Sequence, residues 1–302
     1  FLVCSKIGYM RKFKCIICNG NLKFIISNHV RDSKNHKVIR CSKCKHVQLN
    51  PVPSMEEDKI FYDNNLQEKN IHYNGSIKEN RKKGLSDLSR RVEFVSKITP
   101  KNGKILEIGS GYGFFLEQMI KKNYDIVGIE VSKERRVISK KVTKAKVLDV
   151  NIMSDEINLG KFHSIVLFHV LEHISNLEQF LQNMRQMLYQ NGNVVIEVPN
   201  FDDYQIPINY EYKEWNLQRA HIHYFNPKTI KFILQKNGFK KINIFGVQRY
   251  GMGNMFNWKI NQKPQLENPL FAFKEGYTEI EKNYKNFLEK NLISDTIIIV
   301  GK

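Results

Sequence analysis

Two sets of residues in this chain have the types and spacing that chemistry requires. Cys15-Ile16-Ile17-Cys18 and Cys41-Ser42-Lys43-Cys44 are two C-x-x-C pairs separated by 22 residues. Such a pair turns two thiolates to one side of a tight knuckle, and two knuckles together complete a tetrahedral four-sulfur site suited to Zn²⁺. With all four positions filled by protein, no place remains for water or substrate, so the expected role of the metal is structural. Redox use of one pair needs a thioredoxin-like strand and helix, which the flanking sequence lacks. His29, His36 and His46 each offer an imidazole in place of a thiolate, against the plainer reading of solvated loop residues. The second set is Gly109-Ser110-Gly111-Tyr112-Gly113, preceded by the apolar run Lys104-Ile105-Leu106-Glu107-Ile108 and followed by the helical pattern of residues 114–120. Glycines there let the backbone turn sharply and approach a ligand, and the positive end of the following helix attracts a carboxylate or phosphate.

These residues need elements to hold them. Leu22 to Ile26 and Lys37 to Arg40 read as two short strands between the knuckles, and the whole resembles a zinc ribbon. Pro51 and Pro53 close it, and Ser54 to Glu57 has the pattern of a helix start. Leu88, Val92, Val95 and Ile98 recur at helical spacing and describe an amphipathic helix laid on the next domain. The glycine loop sits between a strand and a helix, yet Phe114 stands where a dinucleotide-binding G-x-G-x-x-G would place its third glycine. The pattern is instead E-x-G-x-G-x-G, which resembles motif I of the class I S-adenosylmethionine methyltransferases. A second strand, Asp125 to Ile129, ends at Glu130, at the distance where an acidic residue grips ribose hydroxyls. The resemblance implies that Asp149, after a third strand from Ala145 to Leu148, lies beside the adenine. It implies also that Tyr73 touches the methionine carboxylate. Glu107, Gly109, Gly111, Gly113, Glu130, Asp149 and Tyr73 are therefore the expected cofactor contacts.

The resemblance extends through the carboxyl-terminal half. Phe162 to Phe168 is a fourth strand, with His163 where the family commonly has Asp, and it leads to His169-Val170-Leu171-Glu172-His173, similar to the family's strand-end signature. His169 and the Glu172-His173 pair stand where open α/β sheets do chemistry. Leu177, Phe180, Leu181, Met184, Met187 and Leu188 form the core stripe of a helix expected to run to Gly192, before a fifth strand from Asn193 to Asn200. Asn226 and Pro227 open a further helix that Gly238 closes. Lys241 to Val247 and Thr296 to Val300 are expected as the antiparallel pair completing a seven-stranded sheet, with roughly 45 intervening residues as an inserted lid or substrate element. Arg219 to Asn226 resembles the His-x-x-Tyr-Phe segment of sugar methyltransferases that carry an amino-terminal zinc module. That resemblance implies nucleotide-linked sugars as acceptors. His221 or His223 is the expected base, Tyr224 the orienting group, and His169 a further catalytic candidate; packing beneath the helix entry is the bland alternative for each. Ala220 replaces the Glu of carbon-methylating members, which favours oxygen as the methylated atom. The missing Asn-Pro-Pro-Tyr pattern counts against exocyclic amines of bases.

The expectation is an α/β protein: a Rossmann-like seven-stranded methyltransferase sheet with a small zinc-ribbon-like module. Residues 11–60 form the module, 61–100 a helical linker or lid, and 101–302 the methyltransferase domain with an insertion over about 250–294. Length and the 41% apolar share suit a folded two-unit chain. No apolar run reaches the roughly 18 residues of a membrane span, and the opening residues lack a secretory pattern, so a cytoplasmic location is expected. The net charge of +18 is carried by 37 Lys against 11 Arg, a balance that coding bias toward Lys explains better than base-reading nucleic-acid recognition, and a basic surface also suits anionic small substrates. The function expected is S-adenosylmethionine-dependent methylation of a sugar, nucleotide-sugar or related small anionic metabolite, for surface polysaccharide or secondary metabolism. The rivals are a ribosomal or transfer-RNA methyltransferase with a zinc module, and a non-catalytic cofactor-binding partner.

Overall fold

The computed structural model describes residues 14–54, 57, 76–154, 157–264 and 278–302. Tyr73 lies outside the described residues, as do residues 265–277 of the expected insertion.

The amino-terminal module contains β1 (Leu22–Ser27), β2 (Lys37–Cys41) and β3 (Val47–Asn50), an antiparallel meander with Ile25 opposite Ile39 and Val38 opposite Leu49. Two helices follow, α1 (Ile77–Lys83) and α2 (Leu85–Ile98). Ser76 starts α1 with a reciprocal capping box, its hydroxyl accepting from the Glu79 N–H while the Glu79 carboxylate accepts from the Ser76 N–H. Leu88, Val92 and Val95 of α2 are buried on the sheet, as their helical spacing requires.

The main sheet is built from β4 (Lys104–Ile108), α3 (Phe114–Lys121), β5 (Asp125–Ile129), α4 (Lys133–Val142), β6 (Lys146–Leu148), β7 (Phe162–Phe168), α5 (Leu177–Gln186) and β8 (Leu188–Pro199). After β8 come α6 (Gln205–Ile208), α7 (Tyr210–Asn216), β9 (His223–Tyr224), α8 (Pro227–Lys236), β10 (Asn243–Val247), α9 (Met252–Asn261), α10 (Thr278–Lys290) and β11 (Thr296–Gly301). Seven strands lie in the order β10-β11-β8-β7-β4-β5-β6; β6, β5, β4, β7 and β8 run parallel, while β11 is antiparallel to both β8 and β10. This is the Rossmann-like seven-stranded architecture expected from the sequence.

The parallel strands are buried on both faces, which is why they read as continuous apolar runs. Successive residues feed opposite cores. Leu106, Ile165, Val194 and Ile297 pack with α5 and α8, whereas Ile105, Val166, Val195 and Ile298 pack with α2 and α3. The strand order reverses between β4 and β7, and ligands of open α/β sheets sit beyond the carboxyl ends of the strands at such a switch point.

Two expectations change. The helix expected to reach Gly192 ends at Gln186, because Leu188 is drawn into register with Phe162 and β8 begins there rather than at Asn193. The module, expected as a separate unit, shares its sheet with the carboxyl-terminal half: β9 adds to β3, with Tyr224 opposite Val47 and His223 opposite Gln48. Its core is shared too, since Cys15, Ile17, Leu22, Ile39 and Cys41 are continuous with α5 and α8.

Candidate active site

The glycine loop leaves β4 and enters α3 through three residues with positive φ, Gly109, Gly111 and Gly113. The N–H groups of Gly109 and Ser110 both donate to Ile129 O, at 2.8 and 2.9 Å, which pins the loop to the end of β5. Gly111 is the informative position. Its φ is 54°, and a Cβ built on it meets nothing within 4 Å, so its outer side faces open space that a ligand can occupy. Glu130 lies beneath the loop, 4% exposed, and its two oxygens accept from the N–H groups of Gly111 and Ser132, each at 2.8 Å. Glu107 is equally buried, and its Oε2 has no hydrogen-bond partner. Burial pushes its carboxyl well above the usual carboxylate range, a tendency that Arg91 opposes and Glu130 reinforces. Asp149, beyond β6, is exposed and paired with Arg136 at 2.6 Å.

The carboxyl ends of β7 and β8 carry a denser polar cluster. His169 has φ 55°, the left-handed region that a non-glycine residue occupies at a cost of about 1 kcal/mol or more. Its ring stands between two buried carboxylates, Nδ1 3.4 Å from Glu172 Oε1 and Nε2 3.3 Å from Glu197 Oε1. Burial alone would lower the ring's pKa, but Glu172 and Glu197 outweigh it and raise it, so His169 favours the charged form. Glu197 also receives Arg90 through two bonds, at 2.9 and 3.2 Å, and Arg91 at 2.5 Å. Burial acts to raise its carboxyl, yet His169 and Arg91 hold it well below the usual range.

Glu172 differs in having near neighbours without donors aligned to it: neither carboxylate oxygen has a hydrogen-bond partner. Burial would raise this carboxyl, and the adjoining His169, with His173 and His221, holds it down to about 2. His173 turns Nδ1 to Ala220 O at 2.7 Å and Nε2 toward Glu172, 4.0 Å away. His221 lies against it, ring centroids 5.1 Å apart. Burial first, then His173, pulls the His221 ring down to about 3, so it is neutral at pH 7. One ligating atom from each of Glu172, His173 and His221 lies within 4.8 Å of the others, a spacing at which they can share a proton or a divalent cation.

The structure separates the expected catalytic residues. His221 lines a cavity beyond the end of β8, together with Asp203, Tyr212, Asn216 and Asp295. His223 and Tyr224 line it as well, with all their polar side-chain atoms engaged, whereas His221 is engaged by Gln218 alone. His223 has Nδ1 3.0 Å from His46 Nε2 and Nε2 2.9 Å from Ile174 O. The Tyr224 hydroxyl donates to Gln218 O and accepts from the Gln218 N–H, both at 3.1 Å. Glu172 and His173 face His221 directly. Their motif was visible in the sequence, but no periodicity ties it to a segment 47 residues away. Asp203, Asp295 and Arg31 carried no sequence signal.

The four cysteines converge as their spacing requires, with Cys15 Sγ 3.6 Å from Cys44 Sγ and Cys18 Sγ 3.5 Å from Cys41 Sγ. A tetrahedral site with Zn–S bonds of about 2.3 Å has sulfur edges of about 3.8 Å, so the donor set fits the metal. The knuckles are alike. In each, the first cysteine's N–H donates to the carbonyl five residues on, Cys15 to Gly20 O and Cys41 to His46 O, both at 2.8 Å. Asn19 and Lys45, after the second cysteines, take left-handed backbone. A Cβ on Gly20 would lie 3.0 and 3.1 Å from two of the sulfurs, so only glycine closes the cradle. His29, His36 and His46 are not in the cluster.

The module grips the segment that carries His221. Arg31 stacks over Trp215, its guanidinium 4.0 Å from the ring centroid, and donates to Trp215 O at 3.1 Å and to Gln218 Oε1 at 2.9 Å. Gln218 Nε2 then donates to His221 Nε2 at 2.9 Å. Asp32 accepts from the Arg219 N–H at 2.6 Å, and Leu217 is buried among Val30, Val38, Val47, Leu49 and Tyr224.

Comparisons with known proteins agree with this architecture. A family model described as a methyltransferase domain matches residues 78–244, more than half of the chain. The ubiquinone biosynthesis O-methyltransferase of Pelagibacter ubique is 31% identical over 105 residues, which cover 33% of this chain and 43% of that protein. The chain thus spans less than half the length of that relative. The protein of the same name from Coxiella burnetii (strain Dugway 5J108-111) is 20% identical over 179 residues, 55% of this chain and 76% of that one. Among solved structures, a SAM dependent methyltransferase from Archaeoglobus fulgidus superposes with a TM-score of 0.51 at 19% identity, covering 80% of this chain and 99% of the other. A SAM-dependent methyltransferase from Thermotoga maritima, described as a possible histamine N-methyltransferase, gives a TM-score of 0.50 at 16% identity, covering 75% and 95%. At such identities the structural likeness is one of fold.

Proposed function

This chain belongs to the methyltransferase domain family, and from that premise we propose that it transfers a methyl group from S-adenosylmethionine to a hydroxyl of a sugar, nucleotide-sugar or related small anionic metabolite, in surface-polysaccharide or secondary-metabolite biosynthesis. The observation that carries this reading is one of placement. The open side of Gly111 and Glu130 lie beyond β4 and β5, with Glu107 near the carboxyl end of β4, and His221 with its cavity lies beyond β8, at the carboxyl ends of the same parallel strands.

Bound at the glycine loop, S-adenosylmethionine supplies a methyl group activated on a sulfonium. Glu107 Oε2, buried and without a donor, suits an ammonium; Glu130 at the end of β5 suits ribose hydroxyls, and Asp149 the adenine amine. The N-terminal end of α3 favours a carboxylate. On the acceptor side, the hydroxyl oxygen would form the new bond to the methyl carbon as the carbon–sulfur bond breaks and S-adenosylhomocysteine leaves, and its proton would pass to Nε2 of the neutral His221 in place of the Gln218 amide donor. The imidazolium so formed would be stabilised by the Glu172 carboxylate, and His173, beside both, is a positioning group. His169, its pKa raised by Glu172 and Glu197, ties the strand ends together, and His223 and Tyr224 hold the segment around His221. The four cysteines would hold a structural Zn²⁺ that fixes the sheet to which β9 belongs.

Titration calorimetry with S-adenosylmethionine and S-adenosylhomocysteine, followed by labelled-methyl transfer to a panel of nucleotide-sugars, tests the proposal. Binding of both with transfer to at least one sugar is expected. No heat with either compound on folded, metal-loaded protein rejects the reading. Tight RNA binding that weakens steeply with salt, by about 0.7 log units per phosphate contact for each tenfold rise in salt for single strands, replaces the sugar acceptor with RNA.

A further inference from the structure

The cavity beside His221 has a one-sided chemistry. Asp295, 8% exposed, accepts at Oδ2 from the N–H groups of Arg249 and Tyr250, at 3.0 and 3.1 Å, while its buried Oδ1 has no hydrogen-bond partner. Asp203, 2% exposed, accepts from the Gln205 N–H at Oδ1 and from the Tyr212 hydroxyl at Oδ2, at 2.9 and 2.5 Å. Four side-chain donors on the same wall are engaged elsewhere, while the N–H of His221 stays on the wall. Tyr212 gives its proton to Asp203, and Asn200 Nδ2 donates to Leu292 O and Ser294 O. Asn216 Nδ2 donates to Tyr212 O, and the Tyr224 hydroxyl to Gln218 O. Burial, reinforced by Asp295, pushes the Asp203 carboxyl up to about 7 against the two donors it has. Burial raises the Asp295 carboxyl on balance, against Arg249, whose Nε is spent on Asp87, and the neighbouring Thr296 hydroxyl, which is not aligned with Oδ1.

A buried acceptor without a partner costs about 1–3 kcal/mol, and a ligand that brings the missing N–H or O–H recovers it. A phosphate or carboxylate brings only more lone pairs and negative charge. We propose that this cavity is the acceptor's subsite for a hydrogen-bond-donating group, a ring hydroxyl or ammonium of the sugar, held by Asp295 Oδ1 and the Asp203 carboxylate next to His221. The proposal rests on the methyl-transfer reading above and narrows it: the anionic part of the substrate stays outside, and the ring presents its donors to the two aspartates.

The test uses the full chain, metal-loaded and saturated with S-adenosylhomocysteine. UDP-glucose, its monodeoxy analogues, UDP-glucosamine and UDP-glucuronic acid are titrated by calorimetry. The expected result is a loss of about 10–100-fold for one deoxy position, and weakening of at least about 10-fold for the carboxylate-bearing sugar. Tighter binding of the amine than of the parent sugar assigns an ammonium; equal or weaker binding assigns a hydroxyl. Asp295→Asn, which turns part of the carboxylate into a donor, shrinks both differences, and Asp203→Asn gives the same readout should the first variant fold poorly. UDP-glucuronic acid binding as tightly as UDP-glucose, with no deoxy analogue weakened, overturns the subsite. If S-adenosylhomocysteine binds and no sugar does, the sugar acceptor itself falls, and the subsite with it.

Discussion

The two halves of the site are made in opposite ways. The donor side is a local turn: β4, the glycine loop and α3 are contiguous, and the contacts that fix them come from the end of the next strand. The acceptor side is assembled through space, with the 218–226 segment held by β3, by Arg31 and Asp32, and by Glu172 and His173. A loop whose geometry is set by backbone conformation tolerates changes elsewhere. A site built by docking fails when any of its supports does.

That contrast can be broken most forcefully at Gly111. Gly111→Val places a branched side chain at φ 54° and fills the open face, so affinity for S-adenosylhomocysteine should fall by about 100-fold or more, by calorimetry. Donor binding within threefold of the parent would show that the ligand lies elsewhere. His221→Ala should instead cut kcat by about 10²–10⁴ with donor affinity unchanged. Near-normal turnover would move the base to another group. If the four cysteines hold Zn²⁺, chelation separates the halves in one sample: amides of 221–226 should lose hydrogen-exchange protection and turnover should fall about 10-fold or more, while donor affinity holds within threefold. Equal loss on both sides would mean that the module supports the whole domain.

Smaller effects sharpen the same comparison. Arg31→Ala removes the stack on Trp215 and the bond that orients Gln218, so kcat should drop by roughly 10-fold with little change in donor affinity, partly restored by added guanidinium. The mildest test is acid. His221 and His223 are held neutral in the fold, down to about 3 and about 4, against an ordinary value of 6.5. The unfolded chain therefore binds more protons between pH 6.5 and 4, and stability falls as pH drops through that window. Asp203, raised to about 7, opposes this by one proton because its folded form holds a proton that the unfolded form releases above pH 3.8. Glu107 and Asp295, raised as well, oppose it in the same sense, so the contribution of His221 is read as the difference in Tm change from pH 7 to pH 5 between the parent and the His221→Gln variant. His221→Gln should flatten the slope; an unchanged slope would show that the ring titrates normally.

The sequence by itself determined what depends on neighbours along the chain. Alternation and apolar runs placed β4, β5 and β7, helical spacing placed α2, and the Asn226-Pro227 start placed α8. The glycine loop and the cysteine knuckles were legible for the same reason, since φ preferences and short spacings are local properties. Tertiary structure decided the rest. Nothing in positions 46–48 announces pairing with positions 223–224, because strand partners are chosen by packing across the whole chain. Nor does any local pattern say that Asp295 keeps an unpaired oxygen beside Asp203, since burial and the exhaustion of donors exist only once the wall is assembled. A turn is written in the dihedral preferences of a few residues, whereas an acceptor pocket is a sum of contacts between segments that meet only after folding.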